Sequence, residues 1–258
     1  MYKFAKIDFK KIKHFINDDF ANIVYNLGVK ISNFADIKAV AFDIDGTLYE
    51  NWKLNCRIFP HFFAHLFFFS CYGLVRVELR KQEQIPDFYR VQAELMAKKM
   101  KCTPEMAQKK LDDIVYYGLR KYFPRFSPAK GTEQLIKRLK ENGVKIVFLS
   151  DFPPEQKGEI WGLKKYCDLC FSTEEYGALK PSPVAFFKMA EQLGIQKEEI
   201  LYVGNNHKYD VMGPKKIGMK AAWFVSPLKG KLGKKSKAAD FIFWKYSQLE
   251  SFIFDGND

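Results

Sequence analysis

Asp43 and Asp45 stand one residue apart where the run Lys38-Ala39-Val40-Ala41-Phe42 ends and Gly46-Thr47 begins. An apolar run of this kind reads as a buried parallel strand, and in open α/β sheets ligands sit outside the carboxyl ends of such strands. Two carboxylates this close repel each other and split their proton affinities unless a cation neutralises them. The arrangement suits Mg²⁺, with one Asp as nucleophile and the other as acid/base. The plain alternative for this stretch alone is a strand followed by an Asp-Gly turn.

Three later stretches carry polar groups at comparable places. Leu149-Ser150-Asp151 follows an apolar run and offers a hydroxyl and backbone N–H groups where a strand turns over. Gly177-Ala178-Leu179-Lys180-Pro181-Ser182-Pro183 sets a lysine just before a Pro-opened helix, so a positive charge and a helix N-terminus lie together. Val203-Gly204-Asn205-Asn206-His207-Lys208-Tyr209-Asp210 ends another apolar run with an amide and a carboxylate. Each signal alone is modest, since Ser-Asp is an ordinary turn and a single Lys an ordinary surface residue. In this order they supply what phosphoryl transfer requires: a nucleophile, an acid/base, donors for the non-bridging oxygens, a cation and a metal site.

The elements that must position these groups follow from periodicity. Residues 1–37 show helical spacing (Phe15, Ile16, Phe20, Ile23, Val24, Leu27) with Gly28 as a stop. The first strand covers about 38–43. Residues 50–127 lack strand-like alternation and hold three helical stretches, 59–83, 86–100 and 102–119, the last opened by Thr103 as N-cap and Pro104. From residue 128 helices and strands alternate: helix 129–142, strand 144–149, helix 155–163, strand 169–172, helix 184–193, strand 200–203, a helix to 217, strands 221–225 and 241–243, and a last helix near 248. Such alternation predicts a parallel sheet with right-handed crossovers.

The chain has 258 residues, 47% hydrophobic and 16% aromatic, with 25 Phe, so a packed core is expected and global disorder is not. Phe62, Phe63, Tyr72, Phe88 and Tyr89 read as core residues at helical spacing, although they could also line an apolar pocket. The net charge of +12 favours anionic partners without choosing among phosphorylated metabolites, nucleic acid and anionic membranes. The clusters Lys10 to Lys13 and Lys229 to Lys237 read as solvated faces and a mobile loop, which leaves nucleic acid a secondary partner. Residues 59–77 carry one formal charge, Arg76, near their end and are long enough to span a bilayer, but a span there would part Asp43 from the rest of the site. A buried aromatic helix, and no transmembrane segment, is therefore expected.

The 5 scattered cysteines and the absence of a secretory signal fit reduced thiols and a cytoplasmic protein. Cys167 and Cys170 form a lone CxxC, read as strand thiols rather than a redox or zinc pair. His61 and His65, at i, i+4 without an acidic third ligand, read as packing residues. Nothing in the sequence fixes an oligomeric state.

The motifs resemble those of the haloacid dehalogenase-like (HAD) hydrolases. Phe42-Asp43-Ile44-Asp45-Gly46-Thr47 fits the first motif, Leu149-Ser150-Asp151 the second and Lys180-Pro181-Ser182-Pro183 the third. Gly204-Asn205 through Asp210, followed by Gly213 and Gly218, is similar to the fourth. The resemblance implies an α/β fold: a Rossmann-like parallel core (38–49 and 128–258), a helical cap (50–127) inserted after the first motif, and an N-terminal helical segment (1–37). It implies a Mg²⁺-dependent phosphatase acting on a small phosphomonoester. Asp43 would form an aspartyl-phosphate. Asp45 would act as acid, then base. Thr47, Ser150, Asp151 and Lys180 would serve the phosphate site and its loop. Asp43, the Asp45 carbonyl, Asn205 and Asp210 would serve the metal. The family's fourth motif usually has an acidic residue where this chain has Asn205, so metal affinity should fall. A catalytically weak binding or regulatory protein, and a phosphotransferase or mutase, are the alternative readings.

Overall fold

A computed structural model of the chain describes residues 36–255. The expected helix within 1–37 and the cluster Lys10 to Lys13 lie outside the described residues, apart from residues 36 and 37. Six strands form one parallel sheet in the order β3-β2-β1-β4-β5-β6. They are β1 (Ala39–Asp43), β2 (Lys145–Ser150), β3 (Leu169–Ser172), β4 (Ile200–Gly204), β5 (Lys220–Phe224) and β6 (Phe241–Phe243). β1 and β4 are buried along their whole length, as continuous apolar runs such as Ala-Val-Ala-Phe and Ile-Leu-Tyr-Val require.

The chain leaves β1 toward β2 and β3, then returns to build β4, β5 and β6 on the other side. β1 is thus the topological switch point, where a crevice opens at the strand ends. The register sharpens this. Asp43 lies level with Leu149, and Phe42 level with Val203, so Ser150 and Gly204 are the next residues out along the neighbouring strands.

Between β1 and β2 runs a helical block: α1 (Asn51–Ala64), α2 (Leu66–Leu79), α3 (Phe88–Met100) and α4 (Pro104–Leu111). Thr103 caps α4 by accepting a hydrogen bond from the Met106 N–H at 3.3 Å, with Pro104 at its first turn, as its sequence predicts. The block has its own core, built from Val75, Leu79, Phe88, Met96 and Leu111, into which Leu179 of the sheet domain also packs. The Ile85 N–H donates to Gly177 O at 2.6 Å and the Ser182 hydroxyl donates to Glu83 O at 2.6 Å, further tying block to sheet.

The remaining helices are α5 (Thr132–Glu141), α6 (Val184–Leu193), α7 (Met212–Lys215), α8 (Pro227–Lys231) and α9 (Tyr246–Phe254). α6 lays Ala185, Phe186 and Met189 on the sheet face formed by Ala39, Val147 and Tyr202.

Four expectations change. The helix expected at 155–163 is a set of short 3₁₀ turns (Pro154–Lys157, Ile160–Gly162, Lys164–Tyr166), because Gly158 and Gly162 take positive φ and so do Ile160 and Trp161. The basic stretch 229–237 is not simply a loop: it begins inside α8, capped by Ser226, and Ser236 lies 2.7 Å from His207. The single buried aromatic helix expected over 59–77 is two helices meeting at 110°. Tyr72 and Phe88 are core, but Phe62 and Phe63 are exposed.

Candidate active site

Asp43 ends β1 and is 3% exposed. The chain then turns through Asp45 and Gly46, and Gly46 has φ +86° with a Cβ-sized space already filled by the side chains of Asn51 and Asn205. Only glycine fits this turn. It brings the Thr47 hydroxyl back to donate to Asp43 Oδ2 at 2.8 Å. The Lys180 ammonium donates to the other oxygen, Oδ1, at 2.6 Å and to Asp210 Oδ1 at 2.7 Å, with Tyr202 OH at 3.3 Å. Asp210 reaches this position because Gly204 has no Cβ; one there would sit 2.2 Å from the Asp210 Cβ. Burial raises the Asp43 carboxyl above its ordinary value, Lys180 opposes the rise, and Asp210 and Asp45 add to it. Burial also disfavours the charged Lys180, but Asp210 and Asp43 outweigh it and hold the ammonium well above its ordinary value.

Asp45 is surrounded differently. Its Oδ2 accepts from the Ser150 hydroxyl at 2.6 Å and lies 3.2 Å from the Lys157 ammonium, while Oδ1 accepts from Tyr49 OH at 2.9 Å. Burial pushes this carboxyl up, but Lys157, then Ser150 and Tyr49, outweigh burial and leave it below its ordinary value. The two carboxylates are therefore driven apart, a pattern common to sites that need one group ionised and another poised.

Of the predicted residues, Asp43, Asp45, Thr47, Ser150, Lys180, Asn205 and Asp210 come together. Two expected assignments are revised by the geometry. The buried Thr47 hydroxyl supports Asp43 directly, so it is committed to that carboxylate rather than offered to a phosphate. The Asp151 carboxylate is taken up elsewhere: Oδ1 accepts from Thr173 Oγ1 at 2.8 Å and the Lys180 N–H at 3.1 Å, and Oδ2 accepts at 2.6 Å from Arg80, which caps the end of α2. An anion so engaged cannot receive another anion; what residue 151 can offer a phosphate is its backbone.

Lys157, Tyr49, Tyr202 and Arg80 are the residues that sequence reasoning missed. Lys157 is buried between Phe123 and Phe152, whose ring centres lie 5.2 and 5.1 Å from its ammonium. No motif marks it.

Asp151 has a measurable consequence. Burial pushes it up, but Arg80, Lys180 and Arg76 outweigh that and hold it at about 2, against 3.8 ordinarily. A depressed carboxyl stabilises the fold above its unfolded pKa, and that contribution is lost as pH falls through the folded value. About 2 kcal/mol should therefore disappear between pH 4 and pH 2. Urea unfolding across that window should show a smaller acid loss in Asp151→Asn; equal losses in both proteins would contradict the assignment.

The oxygens available to a metal are those of Asp43, Asp210, the Asp45 carbonyl and the Asn205 amide. All are hard donors, as Mg²⁺ requires. Only two are carboxylates, and each is engaged: Lys180 bridges Asp43 and Asp210, Asn206 N–H donates to Asp210 Oδ2 at 2.8 Å, and Asn205 Nδ2 donates to Asp45 O at 3.2 Å. Among the described residues no three His, Cys, Asp or Glu side chains gather as a metal cluster. The set fits Mg²⁺ in donor type but is poor in charge. The CxxC and the histidine pair stay outside this chemistry: all five cysteines are free thiols, Cys167 Sγ lies 2.8 Å from Leu169 O, and His61 Nε2 lies 2.9 Å from Ile114 O.

The sequence profile of the haloacid dehalogenase-like hydrolases matches residues 37–218. The chain belongs to this family. It is 26% identical to pyrophosphatase PpaX of Halalkalibacterium halodurans over 72% of this chain and 83% of that protein. It is 24% identical to the glyceraldehyde 3-phosphate phosphatase of Methanopyrus kandleri over 71% of this chain and 82% of the relative. The fold is similar to that of a HAD phosphatase from Thermococcus onnurineus, at TM-score 0.57 and 22% identity over 84% of this chain and 98% of the other. As a HAD hydrolase, the protein has the parallel core expected of it, with β1 at the centre of the sheet.

Proposed function

We propose that the protein is a Mg²⁺-dependent phosphatase that hydrolyses a small phosphomonoester through an aspartyl-phosphate on Asp43. The observation that carries this is the contrast between the carboxylates: Asp43 is gripped by Lys180 and Thr47, and Asp45 by Ser150, Lys157 and Tyr49. Relatives named as a pyrophosphatase and a glyceraldehyde 3-phosphate phosphatase support a phosphate substrate.

In this mechanism Asp43 attacks phosphorus as a carboxylate paired with Lys180, while Asp45, which Lys157 holds largely ionised before substrate binds, takes up a proton with the substrate and gives it to the leaving oxygen. Asp45, now a carboxylate, takes a proton from the water that cleaves the acyl-phosphate, returning both groups to their starting forms. Lys180, and the Ser150 hydroxyl once a protonated Asp45 releases it, stabilise the non-bridging oxygens. Asp43, the Asp45 carbonyl, Asn205 with its amide turned to present Oδ1, and Asp210 would hold Mg²⁺, which would neutralise phosphate charge. The helical block within 50–127 serves as the cap, tied to the core by Arg80 on Asp151, closing over the substrate while leaving room for the one water that cleaves the phosphoenzyme.

The test is hydrolysis of p-nitrophenyl phosphate and a panel of phosphorylated metabolites. Turnover should appear with Mg²⁺ and vanish with chelator. A protein inert across the panel at high Mg²⁺ would end this reading and favour a binding or regulatory role, for which the charge-poor fourth motif speaks. Asn205→Asp should tighten Mg²⁺ binding about tenfold by restoring a carboxylate, read by calorimetric titration with Mg²⁺. Tighter binding without turnover in either form would also favour the binding role.

Lys157 yields a pH prediction. It holds Asp45 down, so Lys157→Met should let the carboxyl rise. The acidic limb of the kcat–pH profile, where Asp45 must be ionised to accept the water proton, should move to higher pH. An unmoved limb would exclude Lys157 as the residue that tunes Asp45.

A further inference from the structure

The apolar stretch that the catalytic reading leaves unused lies on α1 and α2. α1 buries none of its residues. α2 buries Phe68, Cys71, Tyr72, Val75 and Leu79 on one side. Its opposite side carries Phe67, Ser70, Leu74 and Val77 at helical spacing, and Phe67 is 65% exposed. On α1, Trp52, Phe59 and Phe63 extend the apolar surface, with Phe63 67% exposed. Large contiguous exposed apolar patches mark interaction sites.

Charge selects the occupant. Between Asn51 and Val77 there is no Asp or Glu, and the charged residues are Lys53, Arg57 and Arg76. Arg76 is buried and paired with Glu174, and Lys53 reaches back to Glu50. The 3₁₀ segment Arg120–Arg125 packs beside α1, with Tyr122 against His61, and adds the exposed Arg120 and Lys121. Lys81, also exposed, follows α2 but stands between Glu78 and the exposed Glu83, so the basic side of the rim is that of Arg120 and Lys121. Aromatic and aliphatic side chains on the face and basic ones at its rim are the composition of helices that lie in the interface of an anionic bilayer. A second copy paired about a two-fold axis would set this same face against itself, basic rim to basic rim. The shape favours a surface over a span: the helices bend by 110°, no single helix among the described residues is long and apolar enough to cross, and the inner side of α2 is core.

We propose that the outer face of α1 and α2 docks the protein on the surface of an anionic membrane, with Trp52, Phe59, Phe63, Phe67, Leu74 and Val77 entering the headgroup–acyl boundary. The docking is independent of the phosphatase chemistry, although α1 begins just after the catalytic turn and so holds the site near the bilayer.

The experiment is co-sedimentation of the full chain with vesicles of phosphatidylcholine alone and with vesicles part-substituted with phosphatidylglycerol. The expected result is binding to the anionic vesicles, weakened by salt, with a blue shift of tryptophan emission that Trp52→Ser reduces. Phe63→Ser and Phe67→Ser should each weaken binding about tenfold, the cost of losing one buried Phe, with unchanged melting temperature and unchanged turnover of a soluble ester if the protein has one. Undiminished binding in the double variant would assign the lipid contact elsewhere and overturn the proposal. No binding to anionic vesicles at low salt would also overturn it. So would a wild-type dimer that ignores vesicles and dissociates on these substitutions, since a second copy would then be the occupant.

Discussion

Asp43→Asn is expected to lower phosphate-ester turnover by about 10⁴-fold or more, the scale seen when a covalent nucleophile is removed. An amide is nearly isosteric with the carboxylate: its Oδ1 can still accept from Lys180, now at 2.6 Å, and its Nδ2 can donate to the Thr47 hydroxyl, which now donates to Asp43 at 2.8 Å. Lys180 also keeps Asp210 as a partner at 2.7 Å, so its charge stays compensated. The fold should therefore survive and only the attacking atom be lost. Acid-quenched protein incubated with substrate should carry a phosphoryl group on the Asp43 peptide in the wild type and none in the variant. Wild-type turnover in Asp43→Asn would sink the proposed mechanism outright.

Lys180→Met should damage both stability and chemistry. The ammonium is 4% exposed at the residue level and separates two buried carboxylates. Without it Asp43 and Asp210 face each other uncompensated, and breaking a buried ion pair from one side costs about 3–5 kcal/mol. Turnover should fall a further 10²–10³-fold or so, the usual loss for one donor to transition-state oxygens. The two effects separate in a double variant. Adding Asp210→Asn to Lys180→Met removes the repulsion and should recover part of the stability, measured by urea unfolding, while leaving turnover at the single-variant level or below. Recovery of turnover together with stability would mean that Lys180 acts only as a structural counter-ion.

The revisions above have common physical causes. Asp151 looked like part of a phosphate-binding turn because a strand-end Ser-Asp supplies donors. Its side chain was claimed instead by Arg80, the residue that caps α2, 71 positions earlier in the chain. The helix expected at 155–163 did not form because the short turns there bend at Gly158 and Gly162, and residues with few internal hydrogen bonds follow the packing around them. Those turns are also what deliver Lys157 to Asp45. In residues 59–77 nearly every position is apolar, so periodicity could not say which side of the helix would be core. Val75 and Leu79 became core while Phe63 and Phe67 did not.

What the amino-acid sequence determined by itself is the frame of the site. The apolar runs at β1, β2 and β4 are buried on both faces, which forces a parallel sheet and places whatever follows them at one edge. Asp43, Ser150 and Asn205 were legible for that reason, and Lys180 because its Pro-rich surroundings open a helix beside them. Gly46 was legible as a turn, but the close approaches that require Gly46 and Gly204 were not. Only the tertiary structure decided the partners: that Lys180 joins Asp43 to Asp210, that Thr47 serves Asp43, and that Lys157 stands against Asp45. Such pairings depend on where the chain crosses itself in space, and their strength depends on burial that no local pattern records. The sequence could specify which groups would reach the strand ends; packing set how strongly each would hold its charge.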